Sequence, residues 1–408
     1  MKQVRHDVII TGGGLVGASL AIALDRIGVD VGLVEATPPG ALPEVFDQRN
    51  LSFADATVNA LTALGVMQKL AVAGAPIRRI HVSRSGDFGR VRLDASQYGR
   101  DAFGQVVVAR DFGAALEARL DALTRLTRYR PVRFVGLDAD DGESRAVRVI
   151  DADGERVLST RLLVAADGTA STVRAALGID TTTYDYNQVL LVARVRTECA
   201  PDGTAYERFG DDGPTALLPR SDRHFGVVHG VAREQADHVR SMDDTAFLQR
   251  LQRAFGWRTG RFLSVGARSA YPAMSVVAAR TIGARAVLVG NAAQTLHPIG
   301  AQGFNLGLRD ALILAELIED QPGDPGAPGL LAEYAHRRQA DRERTIAFSD
   351  GMARLTVNPL PLLRPLRSMG LLALDGLPSL QAMLVGGAMG YRGHVPGLCR
   401  ARHGVTQP

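Results

Sequence analysis

Apolar positions along this chain switch between a period of about two and a period of about 3.6, and the switches predict its elements. Residues 8–10 form a short apolar run, residues 15–27 repeat apolar positions at helical spacing, and residues 31–35 are apolar again, which reads as strand, helix, strand. Residues 51–70 read as helical, 77–93 alternate, and 109–125 return to helical spacing. Three strand-like segments follow at 132–137, 146–150 and 155–165, the last two joined by an Asp-Ala-Asp-Gly turn at Asp151–Gly154. From 187 to 231, short strands separated by Asp-Gly and Pro-Arg-Ser-Asp turns predict an antiparallel sheet, with a helix at 243–255 across it. Alternation resumes at 268–274, a buried strand falls at 286–289, and helices fall at 302–318 and 330–352 on either side of a proline-glycine connector.

This order predicts an α/β fold. A Rossmann-like nucleotide-binding domain is assembled from residues 1–75, 105–180 and 268–350, and 76–104 with 181–267 form an inserted antiparallel-sheet substrate domain. Residues 351–408 make a C-terminal helical segment, apolar and basic.

Composition narrows the chemistry. Of 47 basic residues only Lys2 and Lys69 are lysines, and neither lies in a glycine loop, so pyridoxal Schiff-base enzymes and P-loop NTPases are excluded. Cys199 and Cys399 have neither the number nor the spacing for a disulfide framework or a zinc site, so no metal is expected and a reducing compartment fits. The first residues lack the pattern of a signal peptide, and the most apolar stretch, 360–389, is broken by Arg364, Arg367 and Asp375; a cytoplasmic protein is expected. With Trp257 as the sole tryptophan, stacking platforms for nucleic acid are hard to build, so no nucleic-acid partner is expected.

Gly12, Gly14 and Gly17 form G-x-G-x-x-G between the first strand and helix, where missing side chains permit a tight turn, close approach to a pyrophosphate and close helix packing. Glu35 ends the next strand, placed to accept hydrogen bonds from ribose hydroxyls and to repel a 2′-phosphate. Asp167-Gly168 ends a later strand, and a second glycine-rich segment runs from Gly290-Asn291 through His297-Pro298-Ile299-Gly300-Ala301-Gln302-Gly303-Phe304-Asn305. A simple NAD dehydrogenase has no use for this second loop; a long ligand such as FAD needs one site for its adenosine end and another for its ring.

Together with Phe46-Asp-Gln-Arg49, Ser83-Arg-Ser-Gly86, Ala205-Tyr-Glu-Arg-Phe209 and Ala216-Leu-Leu-Pro219, these motifs resemble the FAD-dependent, p-hydroxybenzoate hydroxylase-like aromatic hydroxylases over nearly the whole chain. Within them the pattern is most similar to the ubiquinone-biosynthesis branch and its UbiH-type 2-polyprenyl-6-methoxyphenol hydroxylases, although Gly300-Ala301 stands where those commonly read Ala-Gly. The resemblance implies that Gly12, Gly14, Gly17 and Glu35 hold the adenosine diphosphate part, that Arg49 and Arg110 contact the cofactor, and that Asn291 binds its ribityl or phosphate region. Pro298, Gly303, Phe304 and Asn305 would pack or hydrogen-bond near the ring, Gly300 and its neighbours would offer it N–H groups, and Asp167 and Gly168 match a motif tied to both FAD and NAD(P)H.

The implied activity is hydroxylation of a polyprenylated phenol with NAD(P)H and O2, through a flavin hydroperoxide, in ubiquinone biosynthesis. Another ring position, another aromatic substrate, or a flavin-binding assembly subunit working with other ubiquinone-biosynthesis proteins are the alternatives. His297 is either an acid-base group or a residue that only fixes its loop. Glu207 and Arg208 read as a surface or interdomain ion pair, and His224 and His229 as ordinary sheet residues on opposite faces. Tyr271 reads as either a core residue or one bordering the ring, and Arg337, Arg338, Arg342 and Arg344 as a solvated helix face. After residue 350 the basic residues Arg354, Arg364, Arg367, Arg392, Arg400 and Arg402 face the single acid Asp375, which suits peripheral contact with the inner face of a membrane.

Overall fold

The computed structural model describes residues 5–44, 47–140, 142–357 and 363–400; Phe46 and Arg402, and the side chains of Arg364 and Arg367, lie outside the described residues. In chain order the elements of the first half are β1 (Arg5–Thr11), α1 (Leu15–Arg26), β2 (Val31–Val34), β3 (Asn50–Ala54), α2 (Asp55–Ala63), β4 (Ala75–Pro76), β5 (Arg79–Arg84), β6 (Arg90–Asp94), β7 (Gly104–Val108), α3 (Ala109–Leu120), β8 (Leu126–Tyr129), β9 (Arg133–Asp140), β10 (Arg145–Asp151), β11 (Gly154–Ala165) and α4 (Thr172–Ala176). The second half holds β12 (Thr181–Thr197), β13 (Thr204–Phe209), β14 (Pro214–Pro219), β15 (Phe225–Ala232), α5 (Ala236–Ser241), α6 (Asp244–Phe255), β16 (Phe262–Val265), β17 (Ser269–Ala278), β18 (Ile282–Gly283), β19 (Ala286–Leu288), β20 (Gln294–Thr295), α7 (Gln302–Asp320), α8 (Pro328–Val357), α9 (Leu363–Gly376) and α10 (Pro378–Ala388).

The first sheet runs β18-β19-β11-β1-β2-β8, with β10 and β9 added beside β11, and its strands from β19 to β8 are parallel. Both faces are covered, as parallel strands require. Val8, Ile10, Leu33, Leu162 and Val164 pack under α1, α3, α7 and α8, whereas Ile9, Leu163, Ala165 and Leu288 pack with Val147 and Val149 of β10 and Val173 of α4. The period-two alternation of β1 and β11 thus separates two cores, and each fully buried aliphatic side chain contributes about 1.5–3 kcal/mol. Residues 51–54, which the apolar spacing assigns to a helix, are β3 instead, because they pair with β7 in a small sheet, β3-β7-β4.

The second sheet is antiparallel except where β13 and β5 run parallel, in the order β20-β17-β12-β15-β14-β13-β5-β6, with β16 beside β12. The predicted boundary at residue 268 is corrected here: β17 pairs with the long β12 from Thr181↔Ala278 to Val192↔Ser269, so it belongs to the substrate sheet. On β15, Phe225, Val227 and Val231 pack beneath α5 and α6, against Val239, Phe247, Leu251 and Phe255. The intervening Gly226, Val228 and Gly230 face the nucleotide-binding unit. Gly226 is required there, since Asn50 Nδ2 stands 1.1 Å from where its Cβ would be.

The helix α8, read from its alternating charges as solvated, is pinned down by them. Arg338 is 1% exposed and donates through Nε to Asp310 (2.7 Å) and through Nη1 to Asp341 (2.8 Å), and Arg309 donates to Asp341 (2.8 Å). Asp310 in turn accepts from the Gly290 N–H (3.2 Å) and Gln294 Nε2 (2.6 Å), and Arg342 donates to Gln294 Oε1 (2.9 Å). A partly solvated helix can turn one arginine face inward when a neighbouring helix supplies buried carboxylates. Burial opposes ionisation of Asp341, but Arg309 and Arg338 outweigh it and hold the carboxyl below its ordinary 3.8.

Asp341→Asn is therefore expected to cost about 3 kcal/mol in urea unfolding at neutral pH. Its contribution is complete above the ordinary carboxylate value and is lost as pH falls through the lower folded value, so the variant is also expected to lose stability less steeply on acidification. A variant with wild-type midpoints throughout would show that the network carries no net stability.

Candidate active site

Two glycine-bearing turns meet at the C-terminal ends of β1, β11 and β19. The first follows β1. Gly12 has φ +97°, and a Cβ there would stand 2.5 Å from Ala166 O; at Gly17 it would stand 2.0 Å from Gly12 O. Gly14 is the N-cap of α1, with no side-chain cap and no acid in the first turn, so the first-turn N–H groups of α1 and the helix dipole are open to an anion. Glu35 accepts from Gly13 N–H (2.7 Å) and Thr37 N–H (2.7 Å), which holds its carboxylate at the rim of this cradle. Asp167 and Gly168 form the opposite wall, with Asp167 Cα 2.9 Å from the Cβ that Gly12 lacks. The Asp167 carboxylate is taken by Ser171 Oγ (2.5 Å) and the Val173 N–H (3.1 Å), so it caps α4.

The second turn precedes α7. Asn291, Pro298 and Gly300 are exposed, whereas Leu296, His297 and Ile299 between them are buried. Gly300 (φ +70°) and Ala301 (φ +50°) are both left-handed, an uncommon state for alanine, and they swing the chain into α7, whose N-terminus also lacks a side-chain cap and a first-turn acid. Gly303 lies in this first turn with open space where a Cβ would go. Backbone N–H groups in such a turn are suited to negative charge on a ring.

The Asn305 side chain is engaged within the protein. Its Oδ1 accepts from the Ala54 N–H (2.9 Å) and Thr57 Oγ1 (2.7 Å), and its Nδ2 donates to Ser52 O (2.9 Å) and Ala301 O (2.8 Å). All four of its hydrogen-bonding positions are used, so it ties the turn to β3. Phe304 likewise turns into a ring cluster with Phe53 (5.3 Å) and Phe112 (5.4 Å). His297 is 1% exposed; its Nδ1 accepts from the Ile299 N–H (3.3 Å), and its ring meets Tyr186 edge-on at 4.7 Å. Burial pushes its pKa down to about 4, so the imidazole is neutral, which suits fixing the loop.

Arg49 at the head of β3 grips Asp47 with Nε (2.9 Å) and Nη2 (2.8 Å) and lies 4.2 Å above the Tyr271 ring, whose hydroxyl also donates to Asp47. Burial works against the Asp47 charge, yet Arg49 and Tyr271 hold its pKa low. Tyr271 is thereby tied to the segment that leads into β3. Arg110, in the first turn of α3, is exposed, and its N–H donates to Asp47 O (2.9 Å). Arg220 on β14's edge reaches across to Asn50 Oδ1 (3.1 Å), a link that no motif signals.

Facing the second turn is the open side of the substrate sheet. Along β14 and β15 the residues turned to the helices are buried, while Ala216, Leu218 and Val228 are only half-buried. Glu207 is on this open side. It stands in register with Val82 of β5 and Ala216 of β14 and shares a strand face with Ala205 and Phe209. Phe209 packs on Ile299 of the glycine turn. The predicted Glu207–Arg208 ion pair is absent, because adjacent strand residues point to opposite faces; Arg208 lies on the far side with Tyr206 and His81. His229 is a buried sheet residue bonded to Thr215 Oγ1 (2.9 Å), and His224 is bonded to Asp222 O (2.8 Å). Among the described residues no cluster of His, Cys, Asp and Glu could hold a metal.

The cradle and the second turn together fit FAD: a side-chain-free pyrophosphate seat, a ribose-level carboxylate and an uncapped helix start for the ring. The FAD binding domain family model matches residues 5–349. The chain is 34% identical to the ubiquinone hydroxylase UbiL of Rhodospirillum rubrum over 94% of this chain and 89% of that protein. It is 28% identical to the 3-demethoxyubiquinol 3-hydroxylase of Escherichia coli over 92% of this chain and 96% of that protein. The crystal structure of p-nitrophenol 4-monooxygenase from Pseudomonas putida superposes with a TM-score of 0.78 at 18% identity, covering 97% of this chain and all of that one, which shows a shared fold.

Glu35→Arg is expected to weaken FAD binding by about ten-fold or more in a titration followed by flavin absorbance, because it removes the ribose acceptor and crowds the cradle. Undiminished affinity would remove Glu35 from the cofactor site.

Proposed function

The chain belongs to the FAD-dependent hydroxylase family that contains the ubiquinone hydroxylases, and from that membership we propose that it hydroxylates the ring of a polyprenylated phenol, 2-polyprenyl-6-methoxyphenol, to the 1,4-benzoquinol during ubiquinone synthesis. It is an FAD-dependent monooxygenase. Bound FAD supplies the redox chemistry, taking electrons from NAD(P)H and activating O2. Gly12, Gly14, Gly17 and Glu35 seat its adenosine diphosphate end, and the turn from Asn291 to Gly303 receives the other end. The protein then has to orient the phenol against the ring and keep water out.

One observation supports a long apolar substrate most directly. Val82 and Leu218, half-buried on either side of Ala216, join a cluster that includes Leu371 and Leu374 of α9 and Leu384 of α10. A ring held beside Ile299 would send its tail along this row toward the C-terminal helices. Mass spectrometry of quinone intermediates in a strain lacking the protein is expected to show accumulation of 2-polyprenyl-6-methoxyphenol. A different accumulating intermediate would move the reaction to another ring position, and an unchanged quinone pool would refute the reading.

The same helices support peripheral membrane contact. Met369 (63% exposed), Leu372 (47%) and Leu377 (49%) are turned to solvent, and the Phe88 N–H at the β5–β6 turn donates to Ser368 Oγ (3.3 Å), which sets the exposed Phe88 ring beside them. Among the described residues no single helix is long and apolar enough to cross a membrane; residues 368–376 and 378–388 reach that length only as a pair bent by 90°. Such a surface can dip into the headgroup region of a bilayer. In flotation with anionic liposomes, the Phe88→Ser/Met369→Ser/Leu372→Ser variant is expected to stay with the soluble fraction. Co-flotation equal to wild type would refute the contact.

A further inference from the structure

We propose that Glu207 is the acid-base group of this site, its carboxylate accepting the proton of the substrate's phenolic hydroxyl as oxygen is transferred to the ring. The proposal rests on the phenol hydroxylation argued above and assigns its proton transfer to a residue that the motifs present only as half of an ion pair.

Placement carries the argument. Glu207 lies one residue pair along β13 from Phe209, and Phe209 touches Ile299 in the turn that receives the ring. Its neighbours on that face are Ala205, Val82 and Ala216, all apolar, and beyond them come the leucines of α9. A ring lying on the sheet face next to the Phe209–Ile299 contact would have Glu207 beside it and the tail row beyond it.

Glu207 makes no hydrogen bond or ion pair among the described residues, although it sits in an apolar wall where an unpaired carboxylate is costly. The charged groups around it are already engaged. Arg84, on the same face of β5, is bound to Asp211 (2.5 Å). On α8, Asp350 accepts from the Tyr186 hydroxyl (2.9 Å) and from Arg354 (2.9 Å). His297 is only half engaged, with Nδ1 occupied and Nε2 unpartnered, but it is neutral and offers no counter-charge, and Arg208 faces the other side of the sheet. With no counter-charge, burial alone lifts the Glu207 pKa to about 7, where a carboxylate is both substantially ionised and basic enough to take a proton.

The step balances within the site. The phenolic O–H bond breaks and a carboxyl O–H bond forms, and the electron pair left on the phenolic oxygen delocalises into the ring, making its carbon a better nucleophile toward the oxygen that the established monooxygenase chemistry supplies. The carboxylic acid then returns its proton to solvent.

The test compares wild type with Glu207→Gln, which keeps the side chain's size, on 2-prenylphenol. At matched FAD content and melting temperature, kcat is expected to fall about 100-fold in the variant. The rise of kcat/KM through about pH 7 in wild type should be absent from the variant. Calorimetric binding of 2-prenylphenol, which needs no turnover, should tighten with pH across the same range in wild type and stay flat in the variant. A Glu207→Gln enzyme with the wild-type rate and pH profile would overturn the assignment and leave the hydroxylase reading standing. A wild-type enzyme that neither binds 2-prenylphenol nor couples NAD(P)H oxidation to its hydroxylation would overturn both.

Discussion

Everything at this site hangs on a buried charge network between α7 and α8. Asp310 is shared between Arg338 of α8 and the Gly290 and Gln294 groups that open the second glycine turn. The turn itself contains two consecutive left-handed residues and few apolar anchors, so it has little conformational preference of its own. The network supplies what it lacks. Arg338, 1% exposed, cannot leave its carboxylates without becoming a bare buried charge, and this rigidly sets where α7 begins and where its free N–H groups point.

The substrate sheet divides its labour by face. On one side Phe225, Val227 and Leu217 are sealed under α5 and α6 in a common core. On the other, small residues leave room: Gly226 admits Asn50, and Ala216 and Val228 remain half-buried. Because side chains alternate, a single strand serves both faces at once, and β13 puts Glu207 on the open face and Arg208 on the other.

The legible part of the site is the part whose chemistry is local. Gly12, Gly14 and Gly17 act through backbone space within a single turn, and Glu35 through its distance along one β-α-β unit, so spacing alone locates them. Asn305 and Phe304 sit inside an equally recognisable motif, yet their side chains turn to β3 and to the Phe53–Phe112 pair, where they fix the path of the chain. Arg338 and Arg342 look like surface charges because their partners, Asp310 and Gln294, come from segments far along the chain; an aspartate set into the apolar run of α7 was the one available signal.

What the sequence determined by itself was the order of elements, the nucleotide cradle and the kind of cofactor, since each depends on periodicity or on residues a few positions apart. Tertiary structure decided which charges are buried, which sheet β17 joins, and whether Glu207 meets Arg208 or an apolar wall. Those outcomes turn on pairing between strands and helices distant in the chain, where the cost of burying a charge or leaving a strand edge open is set by what arrives from elsewhere.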